Sequence, residues 1–159
     1  MKTTVIYRCC ESDQKTAYRP NGFTKLKCLD NFLWAFKYYA GFKDVHIIAV
    51  HDGPCGPLYR SLVDKDMEIR KINVQSNEKS LYYCLKLASQ LGQTDIIYFV
   101  EDDYLHTEDA LTVLLDGFYT VYAQFTGAII TLYDHVDRYT RDDDIDRGKS
   151  HILLGGKRH

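Results

Sequence analysis

The 159-residue chain has no apolar run approaching the roughly 18 to 20 residues that span a bilayer. Its start, Met1-Lys-Thr-Thr, leads into a strand pattern rather than the apolar core of a signal peptide. Both absences lead us to expect a soluble, cytoplasmic protein. Charge of one sign is lacking too: 20 Lys and Arg face 22 Asp and Glu, for a net charge of -2. No basic stripe is present to neutralise a run of phosphates, so nucleic acid is not an expected partner. The five cysteines form an odd set without a Cys-x-x-Cys pair or a histidine at zinc-finger spacing, and are read as reduced thiols. Cys9 and Cys10 are neighbours on a strand and therefore face opposite ways, one to the core and one at the strand end. The turn Gly53-Pro-Cys-Gly-Pro57 lacks the Gly-Lys-Ser/Thr ending of a phosphate-binding P-loop. No internal repeat or low-complexity linker interrupts the chain, and its length suits one domain over residues 1–159.

What is present is an alternation of strand and helix patterns. Thr3 to Cys9 is rich in β-branched and aromatic residues, as an inner strand of a parallel sheet should be. In Phe23 to Tyr39, Leu26, Leu29, Phe32, Leu33 and Phe36 recur at helical spacing, and Ala40-Gly41 supplies a C-cap. Val45 to Val50 is the second strand, stopped at His51-Asp52-Gly53-Pro54. A short helix from about Leu58 to Val63, a strand Glu68 to Val74, a helix Lys79 to Leu91 and a strand Asp95 to Val100 continue the series. Thr107-Glu-Asp reads as the start of a helix through Leu111, Leu114, Leu115 and Phe118. A fifth strand is expected at Gly127 to Tyr133, then a polar loop from Asp134 to Lys149 and a short strand His151 to Leu154. The fold class is therefore α/β, a mainly parallel, Rossmann-like sheet with flanking helices, whose ligands bind at the carboxyl ends of the strands.

One polar cluster falls at such a strand end. Glu101-Asp102-Asp103 follows the most apolar strand of the chain. Adjacent carboxylates repel unless a cation or hydrogen-bond donors compensate them. A solvated turn that also caps the next helix is the plain alternative. The crevice position favours a ligand site, and a hard ion such as Mg²⁺ or Mn²⁺ holds one or two protein carboxylates while it grips a substrate diphosphate.

Ile97-Tyr-Phe-Val-Glu-Asp-Asp-Tyr104 resembles the DxD region of GT-A-fold glycosyltransferases, in a Glu-Asp-Asp form. Val5-Ile-Tyr-Arg-Cys9 takes the place of the family's opening strand. His51-Asp52-Gly53 resembles the Asp-Asp-Gly turn of family 2 enzymes, with His51 where an Asp is usual, and Asn77 to Leu87 resembles the helix after the third strand. The resemblance implies a nucleotide-diphosphate sugar as donor, UDP-sugar favoured and GDP-sugar possible, with Mn²⁺ or Mg²⁺. It implies that Asp52 meets the base, Asp102 the ribose or a metal-bound water, and Asp103 the metal, with Glu101 in support. Tyr7, Arg8, Gly53, Asn77 and Ser80 complete the expected donor site. The family's general base comes from the later half, where Asp134 and the aspartates of Asp142 to Asp146 are the candidates. A late histidine ligand would be His151 or His159. GT-A domains usually run longer, so the chain reads as their donor-binding part.

The expected reaction is sugar transfer to a glycan, protein or lipid acceptor, and oligomerisation is left open. Two rivals remain: a nucleotide-sugar-binding or assembly module without turnover, and a metal-dependent nucleotidyltransferase. The latter would normally carry a glycine-rich basic loop after its first strand, where Glu11 to Gly22 offers only Lys15 and Arg19. A phosphoacceptor receiver domain lacks its late strand-end lysine here. The tyrosine pairs Tyr38-Tyr39 and Tyr82-Tyr83 are read as helix faces packed on the sheet, and Tyr104 as a possible sugar platform.

Overall fold

Strand-forming runs bounded by turn formers produce βα units, and the computed structural model describes them at residues 3–12, 21–37, 45–91 and 96–122. The chain divides into two compact units, Met1–Glu108 and Asp109–His159. In the first, the order is β1 (Thr3–Cys10), α1 (Lys25–Lys37), β2 (Val45–Asp52), α2 (Pro57–Asp64), β3 (Glu68–Ile72), α3 (Asn77–Ser89) and β4 (Ile96–Glu101). The four strands form one all-parallel sheet in the order β3-β2-β1-β4. The α/β class and the Rossmann-like parallel sheet are as the sequence implies.

That strand order fixes where the helices go. From β1 to β3 the chain steps outward in one direction, then crosses back over β1 to reach β4. Right-handed crossovers then place α1 and α2 on one face and α3 on the other. Packing agrees. On the first face the buried Tyr7 ring lies 5.0 Å from Phe32 of α1, which in turn meets Phe36 at 4.4 Å. On the second, Ile6 and Val50 pack with Cys84, Tyr83 and Leu87 of α3. Burial of both faces explains why β1 and β2 read as apolar runs rather than as alternation.

Element ends follow from their caps. Thr24 accepts the Lys27 N–H at 3.2 Å, so α1 begins at Lys25 rather than Phe23. Ser76 accepts the Lys79 N–H, which starts α3 at Asn77, two residues before the expected Lys79. Strand β3 stops at Ile72 rather than Val74, because the N–H groups of Val74 and Gln75 turn to the Asp52 carboxylate.

The second unit contributes α4 (Ala110–Tyr122). Its first helical bond runs from Val113 N–H to Asp109 O, so the helix starts three residues after the expected Thr107. The expected fifth strand at 127–133, the polar loop and the short strand at 151–154 lie outside the described residues, as does the Tyr38-Tyr39 pair. No helix among the described residues is long and apolar enough to cross a membrane.

Candidate active site

The change of direction in the strand order falls between β1 and β4, and in an open parallel sheet that is where a crevice opens beyond the carboxyl ends. A cavity of about 700 Å³ lies there. Its wall is made by residues 8–12 at the end of β1, 52–54 at the end of β2, 75–77 and Ser80 at the start of α3, and 101–103 after β4, with Lys25 from α1. Four segments far apart in sequence meet because parallel strands all end on one side.

Two charged clamps span this crevice. On the α3 face Arg8 and Glu101, register partners on β1 and β4, form an ion pair. The Arg8 guanidinium also donates to Asn77 O and Ser80 Oγ, both at 3.0 Å, and to the Asn77 side chain. One side chain thus ties two strands to the first turn of α3. Toward α1, Asp102 Oδ2 accepts from the Lys25 ammonium at 2.9 Å and from Cys10 N–H at 2.8 Å. Lys25 further donates to Cys10 O at 2.9 Å and Cys10 Sγ at 3.2 Å. Burial works against its charge, yet Asp102 beside it holds the ammonium above the ordinary lysine value. For Asp102 burial outweighs Lys25 and the Cys10 N–H, and its carboxyl is pushed above the usual carboxylate value.

Asp52 ends β2 and uses Oδ1 to accept from Val74 N–H at 2.8 Å and Gln75 N–H at 3.1 Å. This holds the loop before α3 in place, with Gln75 at a φ of 46°. Gly53 follows at φ 103°, a left-handed conformation that a side chain would strain although nothing crowds its Cα.

Glu11, just past β1, reaches the start of α2. Its carboxylate accepts from the N–H groups of Gly56, Leu58 and Tyr59, at 3.0, 3.3 and 2.8 Å, and so supplies the cap that Gly56 lacks. It also meets His51 Nε2 at 3.3 Å. Burial opposes its charge, but these four donors hold the Glu11 carboxyl below its ordinary value. A Cβ at Gly56 would lie 2.5 Å from the Glu11 carboxyl, which would have to shift to admit it.

Of the residues singled out from sequence, Arg8, Asp52, Gly53, Asn77, Ser80, Glu101, Asp102 and Asp103 all line the cavity. Tyr7 does not. It is 1% exposed, its ring faces Phe32, and burial and the nearby Cys9 push its hydroxyl far above the ordinary tyrosine value. Strand alternation puts Tyr7 on the α1 face while Arg8 points to the α3 face. His51 is equally buried, with its ring edge-on to Tyr59. Tyr104 is 38% exposed beside the cluster. Asp134, Asp142 to Asp146, His151 and His159 lie outside the described residues. Sequence reasoning missed Lys25 and Glu11. The signal for Lys25 was its position one residue past the Thr24 cap, and for Glu11 the lack of a capping side chain before Pro57.

Among the described residues the cavity carries five carboxylates, Glu11, Asp52, Glu101, Asp102 and Asp103, against Arg8 and Lys25, an excess of three negative charges. Among the described residues no group of three or more His, Cys, Asp or Glu side chains could hold a metal ion alone. An ion shared with ligand phosphates needs fewer, one or two carboxylates. Asp103 and the second oxygen of Asp102 fit that role. Asp102 Oδ2 does not, since Lys25 and Cys10 N–H already engage it.

No protein-family model, curated protein or solved structure matches the chain.

Proposed function

We propose that the chain is a metal-dependent glycosyltransferase of GT-A type whose donor site takes a nucleotide-diphosphate sugar, UDP-sugar favoured and GDP-sugar possible. The observation that carries this reading is the convergence of Asp52, the α3 start and the acidic cluster on one cavity at the switch point. Its volume lies within the roughly 300 to 1,000 Å³ usual for small-molecule sites.

In this reading Asp52 orients the base with the oxygen not committed to Val74 and Gln75. Asp102, fixed by Lys25, addresses the ribose or a metal-bound water, and Asp103 is the direct ligand of Mn²⁺ or Mg²⁺. The ion, when bound, would supply positive charge to the leaving diphosphate. The surplus of negative charge on the wall supports metal dependence, because a bare diphosphate would meet repulsion there. Arg8 and Glu101 hold the wall rather than the ligand. Asp134 remains the proposed base for an acceptor hydroxyl from a glycan, protein or lipid.

Calorimetry with UDP and GDP, with and without Mn²⁺, tests the donor site, followed by donor-hydrolysis and transfer assays. Metal-dependent nucleotide binding is expected; no binding of either nucleotide would overturn the reading. A second reading, a nucleotide-sugar-binding module without turnover, is favoured by one observation. Glu11, Asp52, Glu101 and Asp102 each already accept hydrogen bonds or ion pairs from the protein, which suits fixed walls better than a proton-accepting base. Tight metal-dependent binding with no hydrolysis or transfer distinguishes it.

A further inference from the structure

Among the described residues Lys25 is the one ammonium on a cavity wall that carries five carboxylates. Its three N–H donors are unequally used. Two meet strong acceptors at 2.9 Å, Asp102 Oδ2 and Cys10 O. The third meets the Cys10 thiol at 3.2 Å, and sulfur is a weak acceptor. The thiol also has Ser12 Oγ at 3.2 Å, so it keeps a partner if the lysine turns away. The two strong contacts hold the ammonium in place, which removes most of the entropy a free lysine loses on binding.

Resting on the donor-site reading above, we propose that Lys25 is a diphosphate-binding residue: its ammonium exchanges the Cys10 thiol for a phosphate oxygen of the nucleotide. The new bond is charge-assisted, whereas the one given up is a weak N–H to sulfur contact. Asp102 and Lys25 then form one unit, in which the carboxylate fixes the cation and the cation faces the phosphates. Arg8 is less suited, because its guanidinium is committed to Glu101, Asn77 and Ser80.

The test compares affinities for UDP and uridine, and for GDP and guanosine, at fixed Mn²⁺ in the whole chain and in Lys25→Met. The expected result is a loss of about tenfold or more for the diphosphate with the nucleoside unchanged. A merely structural role would lower both. Lys25→Met leaves Asp102 buried without its cation, so Lys25→Gln, which offers Asp102 Oδ2 an N–H donor without the charge, is measured alongside, with circular dichroism to confirm folding. The same selective loss is expected in it, and Lys25→Arg should restore part of the diphosphate preference. If folded Lys25→Gln keeps the full preference for diphosphate over nucleoside, the assignment of Lys25 is overturned while the donor site stands. If the unaltered chain binds neither UDP nor GDP, the donor-site reading fails and the proposal falls with it.

Discussion

The Lys25 ammonium lies 2.9 Å from Asp102 Oδ2, joining the first turn of α1 to the residue that follows β4. Both side chains are nearly enclosed, at 8% and 11% exposure. In such a setting the pair is worth less than the penalty for breaking it, because removal of one partner strands the other charge. Asp102→Asn is therefore expected to destabilise the chain by about 3 kcal/mol in urea unfolding. Lys25→Met should act similarly, and the double variant should recover much of that loss. Strictly additive single effects would contradict a coupled pair.

A second consequence concerns the approach of Glu11 to Gly56. Gly56 has a φ of -105°, which alanine adopts without strain, so any effect of Gly56→Ala comes from the added methyl against the Glu11 carboxyl. That carboxyl cannot move without releasing three N–H groups of the α2 start. The expected loss is about 1 kcal/mol, typical for a helix cap. In a Glu11→Ala background the same substitution should be close to neutral. An undiminished effect there would assign the strain to something other than Glu11.

Much of the fold was legible because its signals are local. Val45 to Val50 announces an inner strand by composition, the apolar run before Glu101 announces a strand, and Gly53 announces a turn. Asp52 and the acidic cluster were legible as residues of one cavity because strand ends of a parallel sheet share one edge. Tyr7 was misplaced by neglect of the period of two, which sends it away from Arg8 and under α1. Lys25 and Glu11 were missed, since their local signals, a place one residue past the Thr24 cap and the lack of a capping side chain before Pro57, take on meaning only through remote partners. Glu11 finds Gly56 and Tyr59 at separations of 45 and 48 residues, pairings that only the sheet order brings about.

Acidification should weaken the fold through its buried histidines. His51 is fully enclosed, and burial holds its pKa below the ordinary 6.5 despite the opposing pull of Glu11. Burial lowers His106 likewise. A folded value below the unfolded one means that the contribution is whole above about pH 6.5 and is lost as pH falls through the folded value. Glu11, also lowered, adds a further loss only near and below its ordinary 4.5. Asp102, raised by burial, works in the opposite sense, gaining stability as pH falls from its folded value toward the ordinary 3.8. Urea midpoints should therefore decline between pH 7.5 and 5, and His51→Gln should flatten part of that decline. A level profile in the unaltered chain would show that neither ring takes up protons on unfolding.

In the proposed donor site Asp103 is the residue on which metal dependence turns. An ion arriving with a diphosphate has Asp103 as its direct protein ligand in the proposed site, with Asp102 reached through water. Asp103→Ala should therefore abolish the gain in UDP or GDP affinity that Mn²⁺ gives, a change of about tenfold or more for loss of one carboxylate ligand. Affinity in the absence of metal should stay level or rise, since one negative charge has left the wall. Calorimetric titrations with and without Mn²⁺ measure both quantities. If the variant keeps the full Mn²⁺ dependence, the ion is held elsewhere, and the acidic cluster acts as a wall stabilised by Lys25 and Arg8 rather than as the metal site.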